Sequence, residues 1–315
     1  MDFDPVPCAR QVPGGTEAGY RTMTVTFERI GPSRDWLGES PVWDPETGSA
    51  FWIDSRSGIL RRHVPATGRF QSWQLPAEIG AIGLVDKGRL IAAIRNAFYF
   101  VDLATGEIEL VAQAFEDDDT ARFNDGKMDR QGRFLCGTMA LRSDEPGGIL
   151  MQLDRDRTIN KLETGIGIAN STCFSPDGKT LYFADSFDRA LRAYDYDIRT
   201  GAVTNRRVLA DLAGYGSATD GATVDAEGCI WVCLVEIGKL ARLTPDGAVD
   251  RLVETPIPLP SCPAFAGENM DSLYLTSIRD SGTGRTKSDN PQAGAVFAIH
   301  GLGVSGIAET PFAGA

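Results

Sequence analysis

Histidine is nearly absent, with only His63 and His300 in 315 residues. A Ser-His-Asp hydrolase or a His-rich metal centre is built on such side chains, and no G-x-S-x-G stretch occurs either, so both classes fall away. No apolar run approaches the ~18 residues that cross a membrane as a helix. Basic charge is also short: 31 Lys and Arg stand against 43 Asp and Glu, a net charge of −12. Binding a phosphate backbone needs the opposite balance, so neither a nucleic acid nor a membrane is expected as partner. The start, MDFDPVPCARQVPGG, has acidic residues where a secretory signal carries a basic patch and an apolar stretch, which makes the cytoplasm the expected compartment. Six cysteines are scattered (Cys8, Cys136, Cys173, Cys229, Cys233, Cys262), most of them within apolar runs. They read as buried small hydrophobes rather than disulfides, and no histidine lies between Cys229 and Cys233 to make a zinc knuckle.

No segment sustains an apolar stripe of helical period. From Met23 onward the chain instead alternates over short runs such as MTVTFERI, SAFWID and ILRRHV, separated by Gly, Pro, Asn and Asp. Residues 1–22 lack periodicity and are expected to be a disordered tail, leaving 23–315 as one domain. Within it a unit recurs: PVWDPETGSAFWID, IGLVDKGRLIAAI, GKMDRQGRFLCGTM, TCFSPDGKTLYFAD, ATVDAEGCIWVCL and PAFAGENMDSLYLT. The turn glycines Gly48, Gly88, Gly132, Gly178 and Gly228 are spaced 40, 44, 46 and 50 residues apart, with Asn269-Met270-Asp271 in the sixth place. Six copies of a four-strand unit predict an all-β, six-bladed β-propeller; a jelly roll or sandwich would not repeat one turn six times. MTVTFERI is expected to complete the last blade beside VSGIAETPF. Trp43, Trp52 and Trp231 are expected to pack between blades.

The innermost strand of each propeller blade lines the central channel, so polar residues opening these strands converge although distant in sequence. That position holds Glu39, then Arg122, Asn124 and Asp125, then Asn170 and Asp220. The offsets to the turn glycines are 9 for Glu39 and 8 for each of Asn124, Asn170 and Asp220. The set is carboxylates, carboxamides and one guanidinium, whose hard oxygens suit Ca²⁺, Mg²⁺ or Mn²⁺ and also accept Zn²⁺ or Fe²⁺. A bland reading is that such Asp and Asn residues merely shape turns.

The stretches GESPVWDPETG, RFNDGKMDRQGRFLCGTM, GIANSTCFSPDGKTLYFADS, YDYDIRTGAVTNRRV and DGATVDAEGCIWV resemble the regucalcin and gluconolactonase-like sugar lactonases, from about Phe27 to Phe312. The resemblance implies hydrolysis of an aldonolactone by a propeller carrying one divalent metal ion. It implies Glu39, Asn170 and Asp220 as metal ligands, Arg122, Asn124 and Asp125 as substrate contacts, and Asp220 as general base, with Asp125 as runner-up. Two other functions stay open: an esterase acting on another lactone or a phosphoester, and a calcium-binding regulatory propeller. A guanidinium beside the cation favours an enzyme, because the two repel unless a polarised substrate lies between them. Arg142, Asp185 and Glu236 stand at the channel mouth as pocket or turn residues, and the polar loop SIRDSGTGRTKSDNPQAG either covers the opening or moves freely. Which sugar, which metal and which oligomeric state the sequence leaves open.

Overall fold

The computed structural model describes residues 24–116, 120–141 and 146–315; the expected tail at 1–22, Cys8 and Arg142 lie outside them. The aromatic and β-branched runs form six four-stranded antiparallel sheets. Blades 1 to 5 comprise residues 38–74, 79–113, 121–166, 169–211 and 219–254, and blade 6 comprises 260–300 with 26–30. In blades 1 to 5 strand order follows sequence order, so the first strand is always innermost. The six inner strands are Gly38–Asp44, Ile79–Asp86, Ala121–Met128, Ala169–Phe174, Thr219–Val224 and Pro260–Ala266. Each packs against the next and the last against the first, which closes the ring of a six-bladed β-propeller.

The hairpin aspartates explain why the turn motif recurs. In blade 5 the buried Asp225 carboxylate accepts the Glu227 and Cys229 backbone N–H groups at 3.0 and 2.9 Å. Its other oxygen accepts Trp231 Nε1 at 2.9 Å and Arg242 Nε at 2.8 Å. One side chain thus shapes the turn and ties the second and third strands to it. In blade 3 Asp129 shapes the same turn, accepting from Gln131 N, Arg133 N and Arg133 Nη1, and it reaches blade 4 by accepting from Tyr196 Oη. The left-handed turn position is filled by Gly48, Gly132, Gly178 and Gly228, and in blade 6 by Met270 at φ 54°; Gly88 does not adopt it. Trp231 of blade 5 meets Phe265 of blade 6, with ring centroids 6.3 Å apart, and Trp43 and Trp52 share a buried cluster with Tyr274 and Ala298 of blade 6. The tryptophans therefore pack between blades. The five described cysteines are free and buried.

Thr26–Ile30 closes blade 6, but not beside VSGIAETPF. Its partner is Val296–His300, register Thr26↔His300 to Ile30↔Val296. Residues 304–312 form a strap rather than a strand, because their hydrogen bonds go to several blades instead of one. Gly306 N donates to Met270 O, Ser305 O accepts Ala226 N, and Phe312 N donates to Leu84 O. Glu309 pairs with Lys127 at 3.3 Å. Lys127 lies at the end of its inner strand remote from Arg122, so the strap covers that end of the channel. Burial opposes the Lys127 charge, yet Glu309, the Cys262 thiol and Asp125 outweigh it and hold the ammonium above its ordinary range.

Removing the Asp225 carboxylate leaves the buried Arg242 guanidinium (side chain 4% exposed) without its innermost partner. The Asp225→Ala variant is expected to lose about 3–5 kcal/mol of unfolding free energy, measured by urea denaturation. A loss below about 1 kcal/mol, the scale of a surface ion pair, contradicts this account of the turn.

Candidate functional site

All six inner strands slip register with their neighbour at the same depth. The slips fall between Glu39 and Val42, Ile79 and Ala81, Phe123 and Gly126, Asn170 and Cys173, Thr219 and Ala222, and Pro260 and Pro263. Each spends one more residue on the inner strand than on its partner, which defines a β-bulge and turns side chains out of the sheet. All the candidate residues but Arg122, which pairs in register with Met139, lie at these bulges. Glu39 and Asn170 are the last paired residues before the slip, whereas Asn124, Asp125 and Asp220 lie inside it. The equal offsets in sequence therefore overstate the equivalence. In blade 4 the resumed pairing at Cys173 is five positions from Gly178, where Val42, Gly126 and Ala222 are six from their glycines.

The bulges also hold neighbouring blades together. Ser40 Oγ accepts Ile82 N of blade 2 at 2.9 Å, and Asp125 Oδ2 accepts Thr172 N of blade 4 at 2.8 Å. Ser171 Oγ donates to Asp220 O, and Ser261 Oγ donates to Gly38 O. Ser40 and Ser171 adopt φ of 49° and 56°, a left-handed conformation costing a non-glycine residue roughly 1–2 kcal/mol. Both follow a candidate ligand directly, Glu39 and Asn170, so backbone strain sits where those side chains are aimed. Gly221 follows Asp220 because the strands meet there: a Cβ would lie 2.8 Å from Cys262 Cα.

These strands bring Glu39, Arg122, Asn124, Asp125, Asn170 and Asp220 to one end of the channel. Asn124 Nδ2 donates to Ala169 O at 2.9 Å and to Asn170 Oδ1 at 3.3 Å. Asn170 Nδ2 donates to Ser186 Oγ at 2.8 Å, which in turn donates to Thr219 O. The carboxamides are thus held in a fixed chain. The carboxyls oppose one another. Burial, then the charges of Asp220 and Asp125, push the Glu39 carboxyl well above its ordinary range, with Arg122 pulling back. Burial and Asp125 do the same to Asp220, offset in part by Gly221 N–H, Arg122 and Asn170. Asp125 is raised mainly by burial. Burial lowers the Arg122 guanidinium, whose Nη1 donates to Phe123 O at 2.7 Å. Three carboxyls and one guanidinium leave a deficit of positive charge, which a divalent cation on Glu39, Asp220 and the Asn170 carboxamide oxygen would fill with hard donors. Among the described residues no three His, Cys, Asp or Glu side chains form a metal cage, so a cation here depends on that carboxamide.

The remaining candidates divide clearly. Asp185 is buried and accepts Gly167, Ile168 and Phe187 N–H groups, a turn role. Glu236 is a rim acid that accepts Ala218 N and pairs with Arg189 at 3.3 Å. His63 and His300 bond Tyr274 and Ser272 in blade 6. The long polar loop is folded at the mouth, bridged Asp280↔Lys287, with Arg285 5.4 Å from the Phe187 ring of blade 4. Sequence reasoning passed over Ser40, Ser171, Ser186 and Ser261. For Ser40 and Ser171 the signal is a small hydroxyl residue directly after a site residue, as in ESP and NST, which reads as an ordinary turn unless the bulges are known; Ser186 follows Asp185, and Ser261 stands beside no candidate residue.

Comparison with known proteins agrees with this architecture. Residues 37–279 match the family described as the SMP-30/Gluconolactonase/LRE-like region. Regucalcin of Xenopus laevis is 36% identical over 284 residues, covering 88% of this chain and 95% of that protein. The 6-deoxy-6-sulfogluconolactonase of Pseudomonas putida is 36% identical over 294 residues, covering 93% and 100%. The structure of regucalcin from Agrobacterium tumefaciens, described as a calcium-binding protein, superposes with a TM-score of 0.85 at 32% identity, covering 90% of this chain and 96% of that one. With its six bulged inner strands and matched length, the chain belongs to the SMP-30/gluconolactonase/regucalcin family, which includes lactonases.

Proposed function

We propose that this protein hydrolyses a sugar aldonolactone to the aldonic acid with one divalent cation held by Glu39, Asn170 and Asp220. The observation that carries the reading is the confluence, on strained bulges, of three mutually repelling carboxyls with a buried guanidinium. An ion-binding module gains nothing from Arg122 beside its cation. Lactone opening uses such a group to hold the substrate. The Pseudomonas putida relative is named for a lactonase activity, which supports the same class.

A bound cation would supply Lewis-acid polarisation of the lactone carbonyl. The protein's own residues do the rest. Arg122, fixed through Phe123 O, has donors left to hold the lactone's oxygens. Asn124 orients Asn170 through its Nδ2, so its part in substrate contact is left to Oδ1. Asp220 takes a proton from the attacking water at a carboxylate oxygen. Without a cation, burial and Asp125 hold this carboxyl above its ordinary range; a cation would keep it ionised, the form a general base needs. The water oxygen bonds to the carbonyl carbon, the ring C–O bond breaks, and the departing ring oxygen receives the proton to become a hydroxyl.

Chelator-stripped protein is expected to release acid from aldonolactones no faster than the uncatalysed hydrolysis until a divalent metal is restored. Asp220→Asn or Glu39→Gln is expected to lower kcat/KM about 10²–10⁴-fold while circular dichroism stays that of the folded protein. Cation binding with no turnover of any lactone would instead favour a regulatory propeller.

The carboxyls also couple metal binding to pH. With their pKa values raised in the folded protein, Glu39 and Asp220 hold more protons folded than unfolded. The metal-free fold therefore loses stability as pH rises from the ordinary carboxylate range through the raised values. A cation relieves that repulsion, so the gain in Tm on adding metal is expected to be larger near about pH 8 than near about pH 5. Scanning calorimetry that finds the same gain at both contradicts a site on these two carboxyls.

A further inference from the structure

The serine hydroxyls at the blade boundaries beside the site differ in what they touch. Ser40 Oγ accepts a backbone N–H of the next blade, and Ser171 and Ser261 donate to backbone carbonyls there. Ser186 meets a candidate ligand side chain instead. It accepts Asn170 Nδ2 at 2.8 Å and donates to Thr219 O of blade 5 at 2.8 Å. Asn170, Ser186 and Thr219 are all buried, where a donor facing a donor is costly.

A hydroxyl carries one proton. Thr219 O is a carbonyl that can only accept, so the Ser186 proton is committed to it. Lone pairs are what remain for Asn170, and they admit the NH₂ end of its carboxamide, not the oxygen. The other end of the chain imposes the same polarity. Ala169 O, also a carbonyl, accepts from Asn124 Nδ2 at 2.9 Å, and that nitrogen donates to Asn170 Oδ1 at 3.3 Å. Two backbone carbonyls thus bracket Asn124, Asn170 and Ser186 and dictate every direction between them. Turning the Asn170 amide over would set oxygen against the Ser186 oxygen and nitrogen against the Asn124 nitrogen. A carbonyl oxygen accepts twice, so Asn170 Oδ1 keeps a lone pair beyond the bond from Asn124.

Ser186 is itself held. It follows the strand Thr180–Asp185, and its N–H donates to Ile168 O at 3.0 Å. The buried Asp185 carboxylate accepts Gly167 N at 2.7 Å and Ile168 N at 3.1 Å, which clamps the turn onto the residues that open the Asn170 strand. Ser186 therefore stands between the candidate ligands of blades 4 and 5, bonded to the side chain of one and to the backbone before the other. We propose that Ser186 is a positioning residue, whose single proton, committed to Thr219 O, sets the Asn170 carboxamide with Oδ1 available to a cation. The proposal deepens the reading above and rests on it for the cation, whereas the orientation of the amide stands on the hydrogen bonds alone.

The test is calorimetric titration of metal-free protein with Mn²⁺ in the wild type, Ser186→Ala, Asn170→Ala and the double variant, each confirmed as folded by circular dichroism. Alanine removes only the hydroxyl and opens no large cavity. Ser186→Ala is expected to weaken Mn²⁺ binding about 10–100-fold, the usual effect of losing an outer partner of a ligand. Once Asn170 is already alanine, the same change is expected to cost less than about threefold. A plain link between blades, of the kind Ser171 and Ser261 make, predicts an equal loss in both backgrounds. That result, or an unchanged affinity in Ser186→Ala, overturns the proposal. If the wild type binds no Mn²⁺, the cation reading has failed, and nuclear magnetic resonance of the metal-free protein decides the positioning. The Asn170 NH₂ signals, identified by their loss in Asn170→Ala, are expected to exchange with water about tenfold faster or more in Ser186→Ala. Faster exchange upholds the positioning, and exchange at the wild-type rate overturns it.

Discussion

The extra residue in each inner strand is the constraint on which the rest depends. Six strands packed around one axis leave no room for side chains to point both into the channel and along it. The bulges re-aim them at one depth, and the same irregularity frees backbone groups that the next blade takes up. Ser40, Ser171, Ser261 and Asp125 all bond across a blade boundary there. Ring closure and the candidate site are therefore built from one feature. Strain at Ser40 and Ser171 is held in place by the closed ring around it.

Electrostatics follows from that geometry. Converging strands force Glu39, Asp125 and Asp220 within one another's fields, in surroundings that bury them, with Arg122 to compensate Glu39 and Asp220 and Lys127 acting on Asp125 from the far end. Such a cluster is unfavourable as a purely structural element. Under the proposed function a cation and a polarised substrate would offset it. The far end of the channel shows the opposite arrangement, where Lys127 meets Glu309 of the C-terminal strap and the charges are matched. The two ends of one channel thus differ in kind: one is closed by a paired charge, the other left uncompensated.

The fold was legible because propeller blades repeat, and repetition turns weak strand signals into a strong one. The turn aspartates and glycines carried it, since their chemistry is local. The candidate residues were legible for the same reason, from their distance to those turns. What escaped was non-local. The partner of Thr26–Ile30 is Val296–His300, which the sequence cannot separate from other apolar runs near the end of the chain. The bulge serines look like turn residues until strand register is known. Ser186 falls in a hairpin turn of blade 4, and no motif in the sequence announces that its hydroxyl meets the Asn170 carboxamide.

The central claim is that a cation sits between the bulges of blades 1, 4 and 5. The most direct measurement is a crystal structure of the protein loaded with Mn²⁺, with the ion located by its anomalous scattering. The account predicts one strong peak in contact with Glu39, Asn170 and Asp220. A fully loaded crystal whose peak lies elsewhere, with those three side chains still bonded only to protein, would contradict it.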